Sequence, residues 1–224
     1  MVDFESQRMR MVQTQLAQRG IRDERVLRAM RVVPRERFVS DAMAEFAYED
    51  SPLPIEEDQT ISQPFIVAAM VEAAEIGPSD KVLEVGTGSG YAAAVISLIA
   101  AQVHTIERHE RLARTAQGRL DALGYRNIEV RSGDGTTGWP EAAPFDAILI
   151  AAAGPAVPPA LKEQLSIGGR LVMPLGIDEV QQLVQIRRAG TSGFVQKDLG
   201  LVSFVPLIGE QGWAEDRHGA ATKQ

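Results

Sequence analysis

A chain of 224 residues with 23 basic and 30 acidic side chains, net charge −7, can bury one full domain core and is too acidic to suit a nucleic-acid phosphate surface. The absence of cysteine excludes disulfides, thiolate catalysis and Cys-ligated zinc together; His104, His109 and His218 show no metal-ligand spacing and are expected at the surface. No stretch approaches the ~20 apolar residues of a membrane span and no signal-like apolar run opens the chain, so a cytoplasmic protein with no membrane partner is expected.

In chain order, residues 4–18 carry Met9, Met11, Val12 and Leu16 among Arg and Gln, a moderately amphipathic helix that Gly20 stops. Asp23 suits the N-cap of a second helix with Val26, Leu27 and Met30 on one face. Pro34 breaks that helix, and Arg35 and Arg37 after it read as a solvated turn. Residues 48–63 are Pro-punctuated and too irregular for a helix or a long strand, the mark of a functional loop once Leu53, Ile55 and Ile61 find burial. Pro64 opens a helix running to about Glu75, apolar along Ile66, Ala69, Met70 and Ala73, which places it between a sheet and another layer. Ser62, two residues earlier, is open to two readings. Spacing favours a helix cap; the sharper reading is a hydroxyl aimed at a substrate from the lip of a pocket.

The stretch from Lys81 to Tyr91 organises the rest. A short apolar strand ends in Glu84 and Val85, then Gly86, Gly88 and Gly90 make a turn into an Ala-rich helix over residues 91–101. Alternate glycines allow a tight turn and close approach to a ligand, with free N–H groups at the helix start. The spacing is G-x-G-x-G, not the G-x-G-x-x-G that seats a pyrophosphate. Glu84 would repel a pyrophosphate but could pair with an ammonium group. S-adenosylmethionine carries an ammonium, a cationic sulfonium and no phosphate, so it fits better than a dinucleotide. Glu107 ends the next apolar segment, where a ribose diol would meet a carboxylate; a solvated strand-end acid is the plain alternative.

Beyond the turn, helices and strands alternate. Residues 108–123 form a charged amphipathic helix through Leu112, Ala113, Ala116 and Leu120, stopped by Gly124, and residues 127–131 a strand. Gly133-Asp134-Gly135 follows at that strand's C-terminal end; Asp134 is either an acceptor for an adenine amino group or an Asx turn. Residues 145–151 are a fully buried central strand, 158–165 a helix, Gly168-Gly169 a turn and 170–175 a strand. Residues 180–187 and 194–205 read as an antiparallel hairpin, and the tail from about Ala214 as loosely held.

Six segments occur in order: Val33-Pro34-Arg35-Glu36-Arg37-Phe38-Val39, Gln59-Thr60-Ile61-Ser62-Gln63-Pro64, residues 82–91, Gly133-Asp134-Gly135 with 143–148, Gly168-Gly169-Arg170-Leu171-Val172, and Phe204-Val205-Pro206-Leu207. Together they resemble the protein-L-isoaspartate (D-aspartate) O-methyltransferase family over about residues 5–213. The Thr-Ile-Ser-x-Pro segment is the most specific part. The resemblance implies a Rossmann-like class I methyltransferase: a doubly wound, mostly parallel seven-stranded α/β sheet with an N-terminal helical extension. It divides the chain into a helical segment and loop over 1–76, an α/β domain over 77–213 forming one globular unit with it, and a loose tail over 214–224.

The implied reaction is methyl transfer from S-adenosylmethionine to the α-carboxylate of L-isoaspartyl or D-aspartyl residues in damaged proteins. The ester then closes to a succinimide without help, which begins repair. By position the resemblance makes Ser62 the catalytic residue. It gives the cofactor Thr60, Glu84, Gly86, Thr87, Gly88, Glu107, Gly133 and Asp134, and the substrate Ile61, Phe204, Val205 and Pro206; no metal is implied. The implied partners are isoaspartyl peptides and proteins, met by a monomer. Two departures from the family's bacterial pattern stand out: Glu56-Glu57-Asp58 where Gly-x-Gly is common, and Ser203 where Arg is frequent. Three carboxylates beside a pocket for an anion would repel it unless they face solvent. The alternatives are a methyltransferase of another substrate on this scaffold, or a cofactor-binding protein that has lost turnover.

Overall fold

The computed structural model describes residues 2–177 and 180–214; His218 and all of the expected tail beyond Ala214 lie outside them. Asp3 caps helix α1 (Phe4–Met11) by accepting from the Ser6 N–H at 3.0 Å. The expected single helix changes pitch twice: a π-helical turn Val12–Leu16 and a 3-10 turn Ala17–Arg19 follow before Gly20, at φ 111°, ends it. Met11, Val12 and Leu16 are buried, while Met9 faces solvent. Asp23 caps α2 (Glu24–Val32) as expected, accepting from the Arg25 N–H at 2.8 Å.

The next turn overturns an expectation. Arg35 opens a 3-10 turn, Arg35–Phe38, and is not solvated but 0 % exposed. Its Nε donates to the Ala47 carbonyl at 2.7 Å and its guanidinium lies 4.8 Å from the centre of the Tyr91 ring. Arg37 is exposed as expected. His104 is likewise not at the surface. It is buried edge-on against Trp139 and Phe145, with ring centres 5.0 and 5.6 Å away.

Residues 48–63 contain a small antiparallel pair, β1 (Leu53–Pro54) and β2 (Thr60–Ile61), which buries Leu53 and Ile61. Helix α3 (Pro64–Ala73) follows, with Pro at its first position. Its deeply buried residues are Pro64, Val67, Ala68, Met70 and Val71, so the expected stripe through Ile66, Ala69 and Ala73 is rotated and only half-buried. The helix is apolar nearly all round, which leaves packing partners to choose the inner face.

The main sheet has seven strands: β3 (Lys81–Val85), β4 (Gln102–Glu107), β5 (Ile128–Ser132), β6 (Phe145–Ile150), β7 (Leu165–Leu175), β8 (Gln181–Arg188) and β9 (Phe194–Val202). Their spatial order is β5-β4-β3-β6-β7-β8-β9, parallel from β5 to β7 and antiparallel through β8 and β9. Helices α4 (Tyr91–Ser97), α5 (Glu110–Ala122) and α6 (Pro159–Glu163) make the crossovers. The Gly168-Gly169 turn is absorbed as an irregularity within β7, where pairing with β6 slips between Leu165 and Arg170. Alternation divides the core. Val82, Val103, Ala147 and Leu149 pack with α2, α3, α4 and the N-terminal turns; Leu83, Ile148 and Ile150 pack with Trp139, Phe145 and Leu161 on the other face.

Helix α3 is moored to the sheet by its C-terminal end. Arg170 Nε donates to the Ala74 carbonyl at 2.8 Å, and its Nη2 donates to the Glu75 carbonyl and pairs with Asp80 at 2.8 Å. Gln185 adds a bond to the Ala73 carbonyl, and Arg187 pairs with the Glu75 carboxylate. Arg170→Ala takes the donor from the Ala74 and Glu75 carbonyls and the cation from Asp80, which keeps its Gly77 N–H bond, and is expected to destabilise the protein by about 2–4 kcal/mol, read as the urea midpoint. An unchanged midpoint would refute this mooring. Among the described residues no helix is long and apolar enough to cross a membrane.

Candidate active site

The sheet reverses its order at β3, and a cleft opens at the C-terminal ends of β3, β4 and β6, the edge where such sheets take ligands. Gly86, Gly88 and Gly90 all have positive φ (95°, 51° and 89°), a path that side-chain-bearing residues adopt only with strain. The Gly86 N–H bonds the Ile106 carbonyl at 2.8 Å and the Gly90 N–H the Thr87 carbonyl at 2.8 Å, so the turn is tied to β4 and to itself. Ile55, from the loop, roofs Gly88 closely enough that a Cβ there would lie 3.5 Å from its Cδ1.

Two carboxylates sit under this turn, both nearly inaccessible. Glu107 accepts from the Gly88 N–H at 2.9 Å and from the His109 N–H at 3.0 Å, which fixes both its oxygens. It is therefore held in place by its own turn and is not a solvated strand-end acid. Glu84 accepts from the Thr105 hydroxyl at 2.6 Å, and Thr105 lies 2.6 Å from the Thr87 hydroxyl. Since Thr105 has one hydrogen, Thr87 donates to it in turn. Burial raises the Glu84 pKa to about 8; the Thr105 bond opposes this and the Glu107 charge adds to it. An acid so placed is a poor structural group and a good receptor for a cation.

A cavity of about 610 Å³ joins these acids to the loop and to the end of β9. Its wall includes Thr60, Ile61 and Ser62, then Glu84, Gly86, Thr87, Gly88 and Glu107, and Phe204, Val205 and Pro206 opposite. Gly133 and Asp134 are not in that wall; of this trio only Gly135 reaches it. The Asp134 carboxylate is engaged elsewhere, accepting from the Thr136 N–H at 2.8 Å, the Thr136 hydroxyl at 2.6 Å and the Glu210 N–H at 2.7 Å. It forms the Asx turn of the two readings, with Oδ1 taken twice by Thr136 and Oδ2 once by Glu210, so one acceptor position on Oδ2 stays open. Gly135 is confined: a Cβ there would sit 2.3 Å from Val85 Cγ1. Gly135→Ala is expected to cost about 1–3 kcal/mol in chemical denaturation by displacing the end of β3; a wild-type denaturation curve would contradict this.

Ser62 is not a helix cap. The N-cap of α3 is Gln63, no side chain caps that end, and the Ser62 hydroxyl has no hydrogen-bond partner among the described residues. Gln63 reaches back instead to Asp50 at 2.7 Å, which in turn pairs with Arg19 at 2.6 Å. Residues 56–58 are exposed and outside the cavity wall; the Glu57 carboxylate lies 3.7 Å from Arg111, and Glu56 is close enough to favour the Arg119 charge. Glu57 and Asp58 take positive φ (57° and 54°), holding with side chains the turn that glycines would make easily. Ser203 is in the wall, and among the described residues of that wall Arg108 is the only basic one. Tyr91, Ala151 and Leu201 also line the wall and fall in expected elements without being expected at the site; Ala151, as the last residue of the expected central strand at the ligand edge, carries the clearest signal.

Opposite Ser62 the backbone is partly paired. The Phe204 N–H donates to Gln181 at 2.8 Å and the Val205 carbonyl accepts from the Ala153 N–H at 2.8 Å. The Val205 N–H and Phe204 carbonyl have no partner among the described residues. The segment is a loop bridged to Ala153 at Pro206, not a continuation of β9.

A parallel sheet reversing at a glycine turn, with acids below it and an antiparallel hairpin at the far edge, defines a Rossmann-like class I methyltransferase. A family model described as protein-L-isoaspartate(D-aspartate) O-methyltransferase matches residues 6–212. The chain is 57 % identical over 204 residues to protein-L-isoaspartate O-methyltransferase 2 of Pelobacter propionicus, covering 91 % of each. A solved protein-L-isoaspartate O-methyltransferase superposes with a TM-score of 0.84 at 28 % identity, over 92 % of this chain and 67 % of that one. The same fold recurs, at TM-score 0.77 and 24 % identity over 90 % of this chain and 98 % of the other, in a candidate Plasmodium falciparum β-aspartate methyltransferase solved with S-adenosyl-L-homocysteine. This chain belongs to the protein-L-isoaspartate (D-aspartate) O-methyltransferase family.

Proposed function

We infer that this chain is an enzyme that methylates the free α-carboxylate of L-isoaspartyl residues in peptides and proteins, using S-adenosylmethionine. The observation that carries the reading is an unpartnered hydroxyl, Ser62, in the same cavity wall as a glycine turn backed by two buried acids. The donor set suits this cofactor: carboxylates for an ammonium and a ribose diol, and no basic cradle for a pyrophosphate. Glu84 would hold the ammonium end, with Gly86, Thr87 and Gly88 along the methionine and Glu107 at the ribose. Thr60 would border the donor; Gly133 and Asp134 would bear on its adenine end from just outside the wall, through Gly135 and the open position on Asp134 Oδ2. When bound, S-adenosylmethionine supplies a methyl group on a cationic sulfur.

The residues of the chain then have a positioning task. A peptide α-carboxylate ordinarily titrates at ~3.5, so at neutral pH it is already ionised and needs no base. Ser62 donates to one of its oxygens and leaves the other free to take the methyl group, an orientation effect. Ile61 and the loop 204–206 confine the acceptor, whose backbone can meet the open Val205 N–H and Phe204 carbonyl. The position of residues 56–58 outside the cavity wall, with Glu57 turned to Arg111, supports turnover over a protein that only binds the donor. Residues 1–76 and 77–213 act as one unit on this reading, because the N-terminal helices share a buried cluster with the sheet. As part of the same reading the enzyme works as a cytoplasmic monomer, which sedimentation and cell fractionation test.

The deciding experiment is transfer of a radiolabelled methyl group to matched isoaspartyl and aspartyl peptides. Label is expected on the isoaspartyl peptide alone, as a base-labile ester. Equal labelling of both would point to another substrate on this scaffold. Donor binding without any label would point to lost turnover.

A further inference from the structure

We infer that Arg35 is a positioning residue for the methyl-donor site: with Phe38 it clamps residues 89–91 and so sets the path of the glycine turn. The inference rests on the reading of that turn as the donor site.

The guanidinium is out of place by ordinary rules. It is wholly buried, uses Nε on the Ala47 carbonyl, and makes no well-formed hydrogen bond through Nη1 or Nη2. No carboxylate pairs with it among the described residues. Burying a charge without such a partner is unfavourable. The compensating contacts are the Ala47 carbonyl and Tyr91, whose ring centre lies 4.8 Å from Cζ, within cation–π range, and whose hydroxyl with that of Tyr48 favours the charge.

Tyr91 is the first residue of α4, follows Gly90 directly, and reaches the cavity wall. Phe38, at the other end of the same 3-10 turn, meets its ring edge-on at 5.5 Å and 69°. Phe38 also lies 6.0 Å beneath the Arg119 guanidinium, whose Nη1 donates to the Ser89 carbonyl at 2.7 Å. One short turn thus touches the exit of the glycine loop twice, at Tyr91 directly and at Ser89 through Arg119. Glycines give the loop its shape but no stiffness of their own. Stiffness has to come from flanking side chains, and these are the ones in contact.

The test is steady-state kinetics of Arg35→Met and Arg35→Lys, with S-adenosylhomocysteine binding measured by calorimetry. For Arg35→Met the KM for S-adenosylmethionine and the Kd for S-adenosylhomocysteine are expected to rise at least fivefold. The kcat and the KM for isoaspartyl peptide should stay within twofold of wild type. Arg35→Lys, which keeps a cation over the ring, is expected to recover part of the loss. A merely structural role predicts a smaller active fraction with both KM values unchanged, and that result overturns the inference. Should Arg35→Met not fold, Phe38→Leu replaces it: a raised KM for the donor alone supports the clamp, and a drop in kcat alone overturns it. Wild-type protein that fails to bind S-adenosylhomocysteine would remove the donor-site reading itself, and this inference with it.

Discussion

Ser62→Ala is expected to lower kcat about 10- to 100-fold while the affinity for S-adenosylhomocysteine stays within twofold. The size follows from one hydrogen bond to a charged group, worth about 1.5–3 kcal/mol. The hydroxyl matters because Ser203 adds no charge to the wall, and among the described residues of that wall only Arg108, next to Glu107 in sequence, is basic. The hydroxyl is also not needed to hold the fold, since Gln63 occupies the cap position and the Ser62 hydroxyl has no partner among the described residues. Thermal melting should therefore be unaltered. A mutant with wild-type kcat would reduce Ser62 to a spacer before α3.

Glu84→Gln is expected to act in opposite directions on stability and on binding. In the ligand-free protein the Glu84 pKa is raised to about 8 from 4.5, so the folded state holds a proton that the unfolded state has released. Stability therefore falls as pH rises from about 4.5 to about 8, by on the order of a few kcal/mol from this group alone. Gln has no such dependence. The mutant should match wild type in acid and exceed it at pH 8 to 9, with the difference opening across that window. Binding runs the other way. An ammonium beside Glu84 favours the carboxylate, so wild-type affinity for S-adenosylhomocysteine should rise between pH 6 and 8, with up to one proton released per ligand. The mutant should bind weakly with no proton release. Calorimetry in two buffers of different ionisation enthalpy reads the proton directly, and identical release by both proteins would move the ammonium away from Glu84.

Much of this was legible from residues whose local pattern leaves little choice. The apolar runs of β3, β4 and β6 could only be inner strands, and three alternate glycines after one of them could only be a tight turn. Position at the ligand edge singled out both acids but left Glu107 open to being a solvated strand end, which its bonds from the Gly88 and His109 N–H groups exclude. Other features depend on partners far along the chain. Arg35 reads as solvated until Tyr91 is folded onto it, and nothing near Arg35 in sequence announces that ring. Ser62 could not be resolved by spacing because a cap and a lip residue occupy the same place before a helix. Asp134 makes its Asx turn with Thr136, as local pattern allows, but the Glu210 N–H that also engages it is remote in sequence. On α3 the apolar surface extends so far round that periodicity could not choose the inner stripe.

The thread from Arg19 through Asp50 to Gln63 has its own consequence. It fastens the end of the first helical run to the residue beside Ser62, so the acceptor's half of the cleft is surveyed from the amino end of the chain. The donor's half takes its bearings from the sheet and from the later turn at Arg35 and Phe38. A change at Arg19 would therefore be felt as poor aim before it was felt as poor appetite for the methyl source.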